Sequence, residues 1–96
     1  MNLENFIKQG TFNLENVIIT DHKTSYTQGL YVKVAEANNP LEYIGVNLLK
    51  VNNDILHLER LKEPLNIKGN IYKNPTTHKT LFIVEDTKEG FTNINA

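Results

Sequence analysis

Two runs with the composition of strands, Leu65–Lys73 and residues 79–86, are separated only by Asn74-Pro75-Thr76-Thr77-His78. Asn-Pro interrupts regular structure, and a five-residue polar connection between two apolar runs has the form of a β-hairpin. This hairpin constrains everything upstream of it. A chain of 96 residues has room for one core, and the hairpin presents one apolar face to it. The other strand-like runs must therefore close over the same core, which predicts a mainly β fold, a small barrel of five or six strands.

Upstream, Leu3, Phe6 and Ile7 fall at helical spacing behind Asn2, with Gly10 as terminator. This predicts a short N-terminal helix over residues 3–9, with residues 1–13 capping one end of the barrel through Phe6 and Phe12. Strand one is expected over residues 14–20, carrying Val17-Ile18-Ile19. A polar loop over 21–29 follows, with Tyr26 near its tip. Strand two, residues 30–37, alternates Leu30, Val32 and Val34 against Tyr31, Lys33 and Ala35. Strand three, residues 41–51, sets Ile44, Val46 and Leu48 against Tyr43, Gly45 and Asn47, with Gly45 marking a bend or bulge. Residues 52–63 fit two patterns. As a helix, Asn53 or Asp54 caps a stripe of Ile55, Leu58 and Leu61. As a strand, Leu56 and Leu58 face inward. In strand four Leu65, Ile67 and Ile71 point in, while Asn66, Lys68, Asn70 and Tyr72 point out. Residues 87–96 read as a tail in which Phe91 docks.

Composition narrows the functional classes. Hydrophobic residues at 40% and charged residues at 22% belong to a globular chain, not a disordered one. A core this small gains from self-association, so a homo-oligomer is among the expected partners. With no Cys there is no disulfide framework, no Cys-based zinc site and no thiol nucleophile, and a reducing cytoplasm is the expected compartment. The first residues lack the basic start and apolar run of a signal peptide, and no apolar stretch approaches the ~20 residues that span a bilayer, so no membrane partner is expected. A formal charge of -1 argues against a strongly electrostatic duplex binder. It does not argue against a protein that holds single strands by stacking.

The chemical signatures of catalysis are missing. His22, His57 and His78 show no ligand spacing, so neither a metal site nor a cofactor is predicted. Asp21, His22 and Ser25 are neighbours in one polar segment with no nucleophile elbow, and Glu36, Glu42, Glu59, Glu63, Glu85 and Asp86 show no pairing for acid–base work. A non-enzymatic role follows. The outward-facing set is more informative: Tyr31, Lys33, Tyr43, Asn47, Lys68, Tyr72 and Lys73, extended by Lys23, Tyr26 and Lys79 from the flanking loops. A tyrosine beside lysines stacks a base while the ammonium meets a phosphate, at about 1–3 kcal/mol per stacked base. Half-exposed tyrosines are also favoured in strands by β-propensity alone.

The order strand, long polar loop, strand, strand, variable segment, strand, polar hairpin, strand resembles the OB-fold, a Greek-key barrel whose second and third strands face oligonucleotides. Asn66-Ile67-Lys68-Gly69-Asn70-Ile71-Tyr72, followed by Leu81-Phe82-Ile83-Val84, resembles the V-x-G-x-I/L hairpin of single-stranded DNA-binding proteins. The likeness spans residues 14–86. It implies non-catalytic binding of single-stranded DNA or RNA, with stacking by Tyr31 and Tyr43, loop-side additions from Tyr26 and Tyr72, and phosphate contacts from Lys23, Lys33, Lys68, Lys73 and Lys79. The chain departs from the bacterial pattern in having no Trp and no long acidic-tipped tail, so recruitment of other proteins through such a tail is not expected. Its small size and Asn-rich composition suggest a phage or mobile-element origin. The rival expectation is a protein-interaction module or small inhibitor using the same face, which tyrosines and near-neutral charge suit equally.

Overall fold

The computed structural model describes residues 3–25 and 29–94. In chain order they form β1 (Ile7–Ser25), β2 (Gly29–Glu36), β3 (Asn39–Lys50), α1 (Ile55–Arg60), β4 (Leu65–Lys73), β5 (Thr80–Asp86), α2 (Thr87–Gly90) and β6 (Phe91–Asn93). The fold is mainly β. The sheet order is β1-β2-β3-β5-β4-β6, and β4 also pairs with β1, so five strands close into a ring. All pairings are antiparallel except β3 with β5.

Closure depends on β1 serving two partners. Its first half pairs with β4 and its second half with β2, and Val17 pairs with both Leu65 and Glu36. A strand turns this corner only if its ladder is interrupted, and the register shifts between Leu14 and Val17. There Asn16 adopts φ 53°, a left-handed conformation that Asn tolerates better than most residues. Its N–H donates to Asn66 Oδ1 at 3.0 Å, fixing the bend against β4.

Alternation along the strands fills the ring as predicted. Val17 and Ile19, Val32 and Val34, Val46 and Leu48, Leu65 and Ile67, and Val84 meet inside, joined by Ile55 of α1 and Phe91 of β6. Phe12 and Phe82 extend this core with an edge-to-face contact at 5.4 Å between centroids, a geometry worth about 0.5–1.5 kcal/mol beyond burial. The helix reading of the ambiguous segment is the one adopted. Asp54 caps α1 by accepting from His57 N–H at 3.1 Å, and the packing of Ile55 sustains a helix too short to persist alone.

Several boundaries differ from the sequence expectation. No N-terminal helix forms over 3–9: Phe6 N–H donates to Leu3 O in a turn, and β1 begins at Ile7. The pairing of Ile7 with Lys73 and of Lys8 with Tyr72 continues the β1–β4 ladder, satisfying backbone groups that a helix of this length could not keep satisfied. The described part of the expected cap, residues 3–13, is therefore not helical. The predicted polar loop is largely strand, because Asp21 to Ser25 continue the β1–β2 ladder. Residues 87–93 are not a loose tail either. Thr87 is fully buried, its Oγ1 accepts from Asn52 N–H at 2.8 Å, and β6 pairs with β4 so that Phe91 enters the core. Among the described residues, no helix is long and apolar enough to cross a membrane.

Candidate functional site

The register decides which predicted side chains share a surface. Tyr31 pairs with Asn47, Lys33 with Gly45, and Ala35 with Tyr43, while Lys23 and Asp21 of β1 pair with Tyr31 and Lys33. Side chains on paired residues point the same way, so Lys23, Tyr31, Lys33, Tyr43 and Asn47 stand on the outer face, opposite Val32, Val34 and Val46. Two diagonal contacts organise this face. The Tyr31 ring lies across Gly45, where only the missing Cβ makes room for it, and the Lys33 ammonium sits 4.7 Å from the centroid of the half-exposed Tyr43 ring. The cation–π contact is worth about 0.5–1 kcal/mol at an exposed site. Lys33 Nζ also lies 4.0 Å from Asp21 Oδ2, so part of its charge is already answered within the protein.

One row of this surface runs in register around the ring: Lys23, Tyr31, Asn47, Ile83 and Asn70. At its centre Ile83 and Asn47 are buried although they lie on the outer side. Toward β4 the character changes. The Tyr72 hydroxyl donates to Glu85 at 2.6 Å, and this bond, then burial, then the carboxylate charge raise the phenol pKa above its usual value. Tyr72 is thus tied down by a carboxylate of the kind that repels phosphate. Lys68 is exposed on the outer side of β4, whereas Lys73 alternates to the opposite side from Tyr72, and Lys79 closes the β4–β5 turn by accepting from Asn74 N–H. The structure therefore brings together Lys23, Tyr31, Lys33, Tyr43 and Asn47, places Tyr72 and Lys68 two strands away, leaves Lys73 off the face, and puts Lys79 in the β4–β5 turn. Tyr26 lies outside the described residues.

A second grouping had no sequence signal. His22, expected in a loop, is on β1, where its Nδ1 lies 2.7 Å from Glu59 Oε1 of α1. Asp21 Oδ1 accepts from the His22 N–H at 2.8 Å, and the ligand-type atoms of the three residues lie within 4.8 Å of one another. This ties α1 to β1 across a separation of 37 residues. The bonds within the trio account for its convergence. Beside Tyr43, a groove of about 850 Å³ opens between β1 and the β2–β3 hairpin, lined in part by Leu14, Val34 and Ile44.

No protein-family model, curated protein or solved structure matches this chain. The functional reading therefore rests on the geometry of the outer face.

Proposed function

We propose that this chain is a small OB-like barrel that binds single-stranded nucleic acid, without catalysis, on the outer face of β2 and β3. The five-strand ring with α1 inserted between β3 and β4 supports the OB-like reading. The observation that carries the binding role is the juxtaposition of Tyr31, Lys33 and Tyr43, two rings and an ammonium on one continuous surface, with Lys23 beside them. Bases stack on the rings, and the two lysines meet phosphates. The proposal is narrower than the sequence expectation, because Tyr72 is engaged by Glu85 and Lys73 faces away.

Fluorescence anisotropy with labelled oligothymidine and oligouridine at low salt tests it. Tyr31→Ala and Tyr43→Ala are each expected to weaken binding by about 1–3 kcal/mol. Absence of binding at tens of micromolar protein would remove the reading. A protein partner on the same face is the second reading, favoured by the exposed Leu41 (89%) and Tyr43 (52%) along β3. Affinity that is insensitive to salt would select it over nucleic acid.

A further inference from the structure

We propose that Asn47 reads the edge of a nucleobase, donating from Nδ2 to an acceptor atom on a base held against β2 and β3; this rests on the nucleic-acid reading above. Asn47 stands at the centre of the outer face, between Tyr31 on β2 and Ile83 on β5. It is only 3% exposed, and its Nδ2 is the one buried side-chain nitrogen or oxygen among the described residues that has no hydrogen-bond partner. A buried amide donor left unpaired costs stability, because it gives up water and receives nothing in return. Its row neighbour Ile83 is fully buried and aliphatic, and carries no such penalty. An acceptor brought by a ligand recovers the missing bond.

A base stacked on Tyr31 brings such an acceptor within reach. The Tyr31 ring lies over Gly45, two residues from Asn47 along β3, a step of about 7 Å that a ring system stacked on the tyrosine spans. The amide is covered in the free protein, so neighbouring side chains must part to expose it. Tyr31 and Lys33 are only partly buried, and Lys33 is held by contacts of 4.0 and 4.7 Å that rearrange readily. Phosphate oxygens are the other acceptors of a single strand, and the test separates the two.

Binding of oligothymidine and of an abasic oligonucleotide of the same length is measured for the wild type, Asn47→Leu and the smaller Asn47→Ala, alongside thermal unfolding. The expected result is a higher Tm for Asn47→Leu, an affinity for oligothymidine about tenfold weaker, or about 1.4 kcal/mol, and unchanged affinity for the abasic strand. Asn47→Ala gives the same binding readout if the larger residue prevents folding. A folded variant that binds oligothymidine as well as the wild type overturns the role of Asn47 and leaves the nucleic-acid reading standing. An equal loss on the abasic strand moves the bond to phosphate and overturns base reading. A wild type that binds neither strand removes both proposals.

Discussion

Gly45 and Tyr31 show how one missing methyl group shapes a surface. A Cβ at position 45 would come within 2.5 Å of Tyr31 Cε2 and Cζ, so Gly45→Ala must push the ring off the face. Overpacking of this kind costs about 1–3 kcal/mol. The expected outcome is a lower Tm, altered tyrosine near-UV dichroism and weaker oligonucleotide binding, and a variant with wild-type dichroism would show that the ring is not seated there. Asp86 makes a different prediction. Its carboxyl is held below the usual carboxylate range chiefly by the Lys88 backbone N–H (3.0 Å), which outweighs the opposing effect of burial, with further help from the Asn52 amide (2.6 Å) and from the charges of Lys50 and Lys88. A folded-state pKa below the unfolded one adds stability above the unfolded pKa, and that stability is lost as pH falls through the folded value. The Tm deficit of Asp86→Ala should therefore be present at pH 7 and shrink as pH is lowered below about 4. A deficit that stays constant with pH would contradict the assignment.

Among the elements, α1 ends on a backbone conformation that its residue does not favour. Its end is a Schellman arrangement: Glu63 N–H donates to Leu58 O at 3.1 Å and Lys62 N–H to Glu59 O at 3.2 Å. Lys62 occupies the left-handed position with φ 51°, where a side chain is strained and glycine is not. Lys62→Gly should raise stability by about 0.5–1 kcal/mol, since relief of strain exceeds the entropy glycine adds to the unfolded chain. Thermal unfolding checks this, and a fall in Tm would mean that the lysine side chain contributes a contact worth more than the strain. The elements also mark how far local pattern carries. Bounds of β2, β3, β4 and β5 follow from alternation to within a residue or two, because those strands are each apolar on one face. The short helix expected over 3–9 is absent because its last residues, from Ile7 on, serve the β1–β4 ladder. The spacing of Leu3, Phe6 and Ile7 cannot express that competition.

For the molecule as a whole, a net charge of -1 means that any nucleic-acid affinity comes from local arrangement. Two cations, Lys23 and Lys33, share the face with the rings, and Lys33 is partly neutralised by Asp21. Each phosphate neutralised on a single strand contributes roughly −0.7 to the slope of log K against log salt. The proposal therefore expects a shallow slope near −1.4 or below in magnitude. A slope steeper than about −3 would place phosphates against Lys68, Lys73 or Lys79 as well, and the binding surface would then extend over β4 and its hairpin.

Alternation of apolar and polar residues is a local property, and it was enough to determine the interior of the ring, the outward direction of Tyr31, Lys33, Tyr43 and Asn47, and the capped helix as one of two readings of residues 52–63. Tertiary structure alone decided what those outward residues meet. Convergence depends on which strands pair and in what register. The β2–β3 register seats the Tyr31 ring on Gly45, the β4–β5 register commits Tyr72 to Glu85, the packing of α1 on β1 joins His22 to Glu59, and the assembled sheet buries the Asn47 amide without a partner. Each of these contacts joins residues distant in sequence, so periodicity of order two carries no trace of it.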